Sequence, residues 1–122
     1  MNGAQHYKNM TTASASPHQL VQMLLDTFLT RIDQAIDAIE SGNLEKKAEA
    51  TNKALLILSG LHEALDMEKG GQISENLASL YVFSRKQIID ASTKNCADSL
   101  FEVKQSISVI RDAWDEMPDC DI

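Results

Sequence analysis

Aromatic side chains are scarce in this chain. One Trp, two Tyr and three Phe among 122 residues make up 5% of it, so any core must be aliphatic. Five Gly and two Pro are too few for the closely spaced turns of a β-sandwich or barrel. There are two cysteines, Cys96 and Cys120, and they lack the spacing of a metal site. Met1 to Met10 holds no apolar stretch of signal-peptide type, so these cysteines are expected as reduced thiols and the protein as cytoplasmic. No apolar run approaches the length of a membrane span, and no membrane insertion is expected. Clustered positive charge is missing as well. Eleven Lys and Arg are scattered among eighteen Asp and Glu, for a net charge of −7. Nucleic acids and anionic membrane surfaces need a basic face, so both are poor partners for this chain.

Constellations that carry chemistry are absent too. His6, His18 and His62 form neither a Glu-x-x-His nor a His-Glu-x-x-His pattern. Gly70-Gly71 lacks the Lys of a phosphate loop. Asp26, Asp33 and Asp37 fall within about 40° of one another on one helix face and read as a solvated acidic surface. A histidine phosphotransfer bundle wants an exposed His with Lys-Gly shortly after, whereas His62 precedes Glu63-Ala64-Leu65. No catalytic residue, metal ligand or cofactor is expected, and the chain is not expected to be an enzyme.

What the sequence does hold is helical periodicity. Hydrophobic residues make up 43% of it, and nowhere do they alternate with period two over a strand length. Residues 1–15 are polar and rich in small side chains, and are expected as a flexible N-terminal arm whose sizeable apolar groups after Met1 are Tyr7 and Met10. A bundle is expected over 16–118 and a tail over 119–122. Ser16-Pro17-His18-Gln19 is a strong helix start, with a capping box and Pro at the first position. Gly42 suits the residue after the helix. The helices are expected at about 17–41, 44–65, 74–94 and 96–117. Short connections make neighbours antiparallel, so the predicted fold is an all-α, up-down-up-down four-helix bundle.

The second helix has apolar residues in excess. One stripe runs Leu44, Ala48, Thr51, Leu55, Leu58, His62, Leu65. A second runs Ala50, Ala54, Ile57, Leu61, Ala64. A bundle helix needs one stripe and its shoulders. The second stripe would make a shallow groove able to accept an amphipathic helix of a partner, or the helix is simply buried deeply between its neighbours. Spacing alone leaves both open. Tyr7 and Met10 likewise read either as stray apolar groups in a tail or as a cap that folds back over the groove.

Several segments together resemble the flagellar secretion chaperone family, FliS. They are Tyr7 ten residues before Pro17, Thr12-Ala13-Ser14-Ala15-Ser16-Pro17-His18-Gln19-Leu20 leading into Val21-Gln22-Met23-Leu24, Leu65-Asp66-Met67-Glu68-Lys69-Gly70-Gly71, Ile73-Ser74-Glu75-Asn76-Leu77, Leu80-Tyr81, and Arg111-Asp112-Ala113-Trp114. Where the family often has Tyr-Asp-Gly, this chain has Leu25-Asp26-Thr27. The resemblance implies an antiparallel bundle that binds the disordered C-terminal segment of flagellin, keeps it from polymerising in the cytosol, and delivers it to export-gate components. It also implies that the arm around Tyr7 and Met10 caps the binding surface. Combined with the surplus stripe, it makes Ala50, Ala54, Ile57, Leu61 and Ala64 the expected partner-binding residues. The alternative is a regulatory adaptor that holds another flagellar export or transcription factor.

Overall fold

The structure is a computed structural model and describes residues 15–118. Four helices follow one another: α1 (Pro17–Ser41), α2 (Leu44–Glu63), α3 (Met67–Lys94) and α4 (Asp98–Glu116). The capping box at the head of α1 is formed. The Gln19 N–H donates to Ser16 Oγ at 3.1 Å, and the Ser16 N–H donates back to Gln19 Oε1 at 2.9 Å. Two of the orphan donors at the helix head are thereby satisfied. Gly42 ends α1 at φ 73°, and its N–H donates to the carbonyls of Ala38 and Ile39. Asn43 then caps α2 by accepting from the Lys46 N–H at 3.0 Å.

The third helix starts earlier than expected. Its periodicity points to a start near Ser74, yet Asp66 accepts from the Glu68 and Lys69 N–H groups at 3.1 and 2.9 Å and opens the helix at Met67. Gly71, at φ 51° and ψ −124°, breaks the helical backbone once. A side chain with a Cβ rarely takes that conformation. The opening turn and the long helix are therefore joined at a one-residue kink. The Ser74 hydroxyl spans it by donating to the Asp66 carbonyl at 3.0 Å. At the far end Asn95 turns left-handed and closes the helix.

Each helix packs on two neighbours, α1 on α2 and α4, and α3 on α2 and α4. The result is an up-down-up-down bundle. Its centre is mainly aliphatic, with Phe28 and Tyr81 and the hydroxyls of Ser74 and Ser84 among it: Leu25, Ile32, Leu58, Leu61, Ile88, Leu100, Val103 and Ile107 are essentially inaccessible. Ala35 and Ala38 of α1 and Ala50 and Ala54 of α2 are also buried, and side chains this small let the two helices approach closely. Thr51 is tolerated in the core because its hydroxyl donates to the Lys47 carbonyl of its own helix at 2.8 Å.

Polar links close the remaining seams. Asp26 meets Arg111 at 2.9 Å and Asp33 meets Lys104 at 2.8 Å between α1 and α4. The carboxylates of this acidic face stay exposed to solvent, as the sequence suggests, while two of them also pair with α4. Hydrogen bonds to Asp26 and Asp112 push the Arg111 pKa above even its usual high value. Between α2 and α3, Lys47 Nζ donates to the Ser92 carbonyl at 2.8 Å and to the Asn95 side chain. Between α3 and α4, Gln87 donates to Glu102 at 2.9 Å and Ser99 donates to the Gln87 carbonyl at 3.0 Å. Among the described residues, no helix is long and apolar enough to cross a membrane.

Candidate partner-binding site

The expected site residues of α2 divide by depth. Ala50, Ala54 and Leu61 are buried in the bundle, Ile57 is half-buried, and Ala64 is exposed. The core arc of α2 lies between its two stripes. It takes Ala50, Ala54 and Leu61 from one and Thr51 and Leu58 from the other, while Leu44, Ala48 and His62 lie outside it. His62, read as part of a core-like stripe, is exposed and tilts against the Tyr81 ring at 6.2 Å. The cause is close packing on α1, which turns the alanine face inward. Tyr7 and Met10 lie outside the described residues.

The same alanine-rich flank nevertheless leads to an open surface. At the α1–α2 turn an open cleft of about 360 Å³ is lined by Arg31, Gln34, Asp37, Ala38 and Ser41 of α1 and by Asn43, Lys46, Glu49 and Ala50 of α2. It is polar. Glu49 is held below the usual carboxylate range by its hydrogen bond and charge interaction with Lys53, 2.9 Å away. Helical repeats of three and four carry these two flanks along the seam. On α1 they reach Thr27, Leu24, Met23 and Leu20. On α2 they reach Lys53, Ile57, Gly60 and Ala64, with Leu56 at the rim. Polar character gives way to apolar along this path. Leu20 and Met23 are each 38% exposed and Leu56 is 72% exposed, more than a core-directed leucine would show. A Cβ built on Gly60 would meet nothing within 4 Å, so the surface is hollow there.

Beyond Ala64, at the end of the bundle, lies a small pit with about 10 Å³ of free space. Val21, Leu25, Leu61, Ala64, Leu65, Leu77, Tyr81, Ile110 and Trp114 line it, so all four helices contribute. Trp114 is fixed beside it. Its indole N–H donates to the His18 carbonyl at 3.0 Å, and its ring stacks on the His18 imidazole at 4.6 Å and 10°. Burial pushes the Tyr81 phenol up to about 12. Small residues on the floor and aliphatic side chains on the walls make this a surface of the kind to which apolar side chains of a helix can dock. Sequence reasoning found Ile57, Leu61 and Ala64 on this path. It missed Leu20, Met23, Leu56 and Gly60, although a glycine inside a helix three residues after Ile57 was a legible sign of hollow surface.

Comparison with known proteins gives the family. The family model described as flagellar protein FliS matches residues 1–119. A flagellar secretion chaperone FliS of Vibrio cholerae is 41% identical over 118 residues, covering 93% of this chain and 87% of the relative. The protein of that name in Salmonella typhimurium is 39% identical over 105 residues, covering 85% and 78%. In Bacillus subtilis it is 30% identical over 108 residues, covering 88% and 80%. A bundle of this architecture, matched along nearly its whole length by that family, belongs to the flagellar protein FliS family.

Proposed function

We propose that the protein is a cytoplasmic flagellar export chaperone. It binds the disordered C-terminal segment of flagellin along the α1/α2 groove, keeps it from polymerising and hands it to the type III export gate. The observation that carries this reading is the line of exposed aliphatic side chains beside Gly60, in a family whose relatives bear the name of secretion chaperones. A segment that folds only on assembly exposes apolar helical faces. A groove of this kind covers them, and the cost of ordering the segment keeps the complex reversible. Ile57 and Ala64 face the bound segment. Leu61 forms the floor of the pit, and Ala50 and Ala54 hold α1 and α2 close enough to shape it. Tyr7 and Met10 are proposed as a cap over this groove that the client displaces.

Calorimetric titration with the C-terminal segment of flagellin from the same organism tests this. A saturable one-to-one complex with a large negative heat-capacity change is expected, the mark of coupled folding and apolar burial. Leu56→Glu alters a side chain outside the core and should weaken that complex at least tenfold with helicity unchanged. If the folded protein fails to bind, flagellin is not its client. If Leu56→Glu binds as well as the parent, the groove is misplaced.

A further inference from the structure

Arg31 lines the cleft at the α1–α2 turn and forms no ion pair among the described residues. Its side chain is half-buried. Nη1 donates to the neutral Gln34 Oε1 at 3.0 Å, and Nε is shut off from solvent with no hydrogen-bond partner. A guanidinium is a planar fork that matches the two oxygens of a carboxylate. Here an amide of its own helix holds it in place, and its charge and one of its donors go unused.

The surroundings are locally positive, in a chain of net charge −7. Lys53, Arg31 and Lys46 all hold the Glu49 carboxyl below its usual range, Lys53 most strongly. Glu49 is taken up by Lys53 at 2.9 Å and does not pair with Arg31. The other carboxylate of the cleft, Asp37, stands six residues further along α1, about 9 Å along its axis toward the turn. Three cations thus meet two carboxylates here, and the open cleft of about 360 Å³ has room for another group. Charge complementarity selects a carboxylate as the missing acceptor. Away from the turn the seam becomes apolar, with Met23, Leu20 and Leu56 exposed along it.

We propose that Arg31 receives a carboxylate of the segment bound in the α1/α2 groove, on a side chain or at the chain end. The contact fixes which way the segment runs, with the carboxylate at the turn and apolar side chains toward Leu20 and Leu56. This rests on the groove being the client site. The test is calorimetric titration of the parent and Arg31→Met with the flagellin C-terminal segment. Companion segments have each Asp changed to Asn, each Glu to Gln, or the terminal carboxylate amidated. Arg31→Met, with helicity unchanged, is expected to weaken the complex at least tenfold. One companion segment should lose as much against the parent and nothing further against Arg31→Met. Arg31→Lys keeps the charge without the fork and should recover part of the loss. Should Arg31→Met lose helicity, the companion segments decide on the parent alone. A complex indifferent to Arg31→Met, or to the loss of every carboxylate in turn, overturns this inference and leaves the groove standing. A folded parent that binds no segment overturns both. If acetate shifts the Arg31 Nε–H NMR signal and the segment does not, the cleft takes small free carboxylates and the inference falls.

Discussion

At the scale of single residues, two positions separate what the fold needs from what it tolerates. Gly60 sits in the interior of α2 in an ordinary helical conformation, with open space where a Cβ would go. Gly60→Ala should therefore gain up to about 1 kcal/mol from helix propensity alone, seen as a rise in melting temperature of several degrees. If the groove works as proposed, the same methyl group fills its hollow and lowers client affinity, so stability and binding move in opposite directions. Ser84 makes the complementary case. It is fully buried, and its hydroxyl is among the described side-chain atoms with no hydrogen-bond partner. Ser84→Ala removes an unsatisfied polar group and should stabilise the bundle by roughly 1 kcal/mol, read as a higher denaturant midpoint at unchanged slope.

At the scale of helices, ends are held by side chains from other elements as well as by their own caps. Lys47 brings an ammonium from α2 to the carbonyl end of α3, where the helix dipole favours a cation, and it donates there to the Ser92 carbonyl. Lys47→Met keeps the aliphatic stem and removes the charge. It is expected to cost about 1 kcal/mol and to speed amide exchange around Asn95 and Cys96 while leaving the Ser16 end of α1 unaffected. Helix identities and most caps were legible in the sequence because Ser16, Gly42 and Asn43 act through local hydrogen bonds. The start of α3 was not legible. Asp66 is a cap signal, but Gly70-Gly71 is also a loop signal, and only the Ser74 hydroxyl bridging back to Asp66 decides between them. The site was half legible for a related reason. Periodicity gives the direction of Ala50, Ala54, Ile57, Leu61 and Ala64 about the axis of α2, but how closely α1 approaches decides which of them are covered. Leu56 and Leu20 belong to the groove only once that distance is known.

At the scale of the whole molecule, the buried phenol of Tyr81 ties stability to alkaline pH. Its folded pKa of about 12 exceeds the ordinary value of 10, because burial disfavours the phenolate. Below pH 10 both the folded and unfolded chains keep the proton, and nothing is lost. Between pH 10 and 12 the unfolded chain gives up a proton that the folded chain retains, so stability falls as pH rises, by roughly 3 kcal/mol across the window. Tyr81→Phe should flatten that part of the profile in chemical denaturation at pH 9 and pH 11.5. An equally steep decline in the variant would place the titrating group elsewhere.

The contact between Trp114 and His18 joins residues 96 apart in sequence, and Arg111 reaches Asp26 across 85. The other three seams close between consecutive helices over short turns. Loop-closure entropy grows with the length enclosed, so the α1/α4 seam carries the largest loop-closure cost of the four. The pit shares walls with that seam through Val21, Ile110 and Trp114. A chain still lacking α4 therefore lacks the Ile110 and Trp114 walls of the pit, so the proposed binding surface is complete only once the whole bundle has been made.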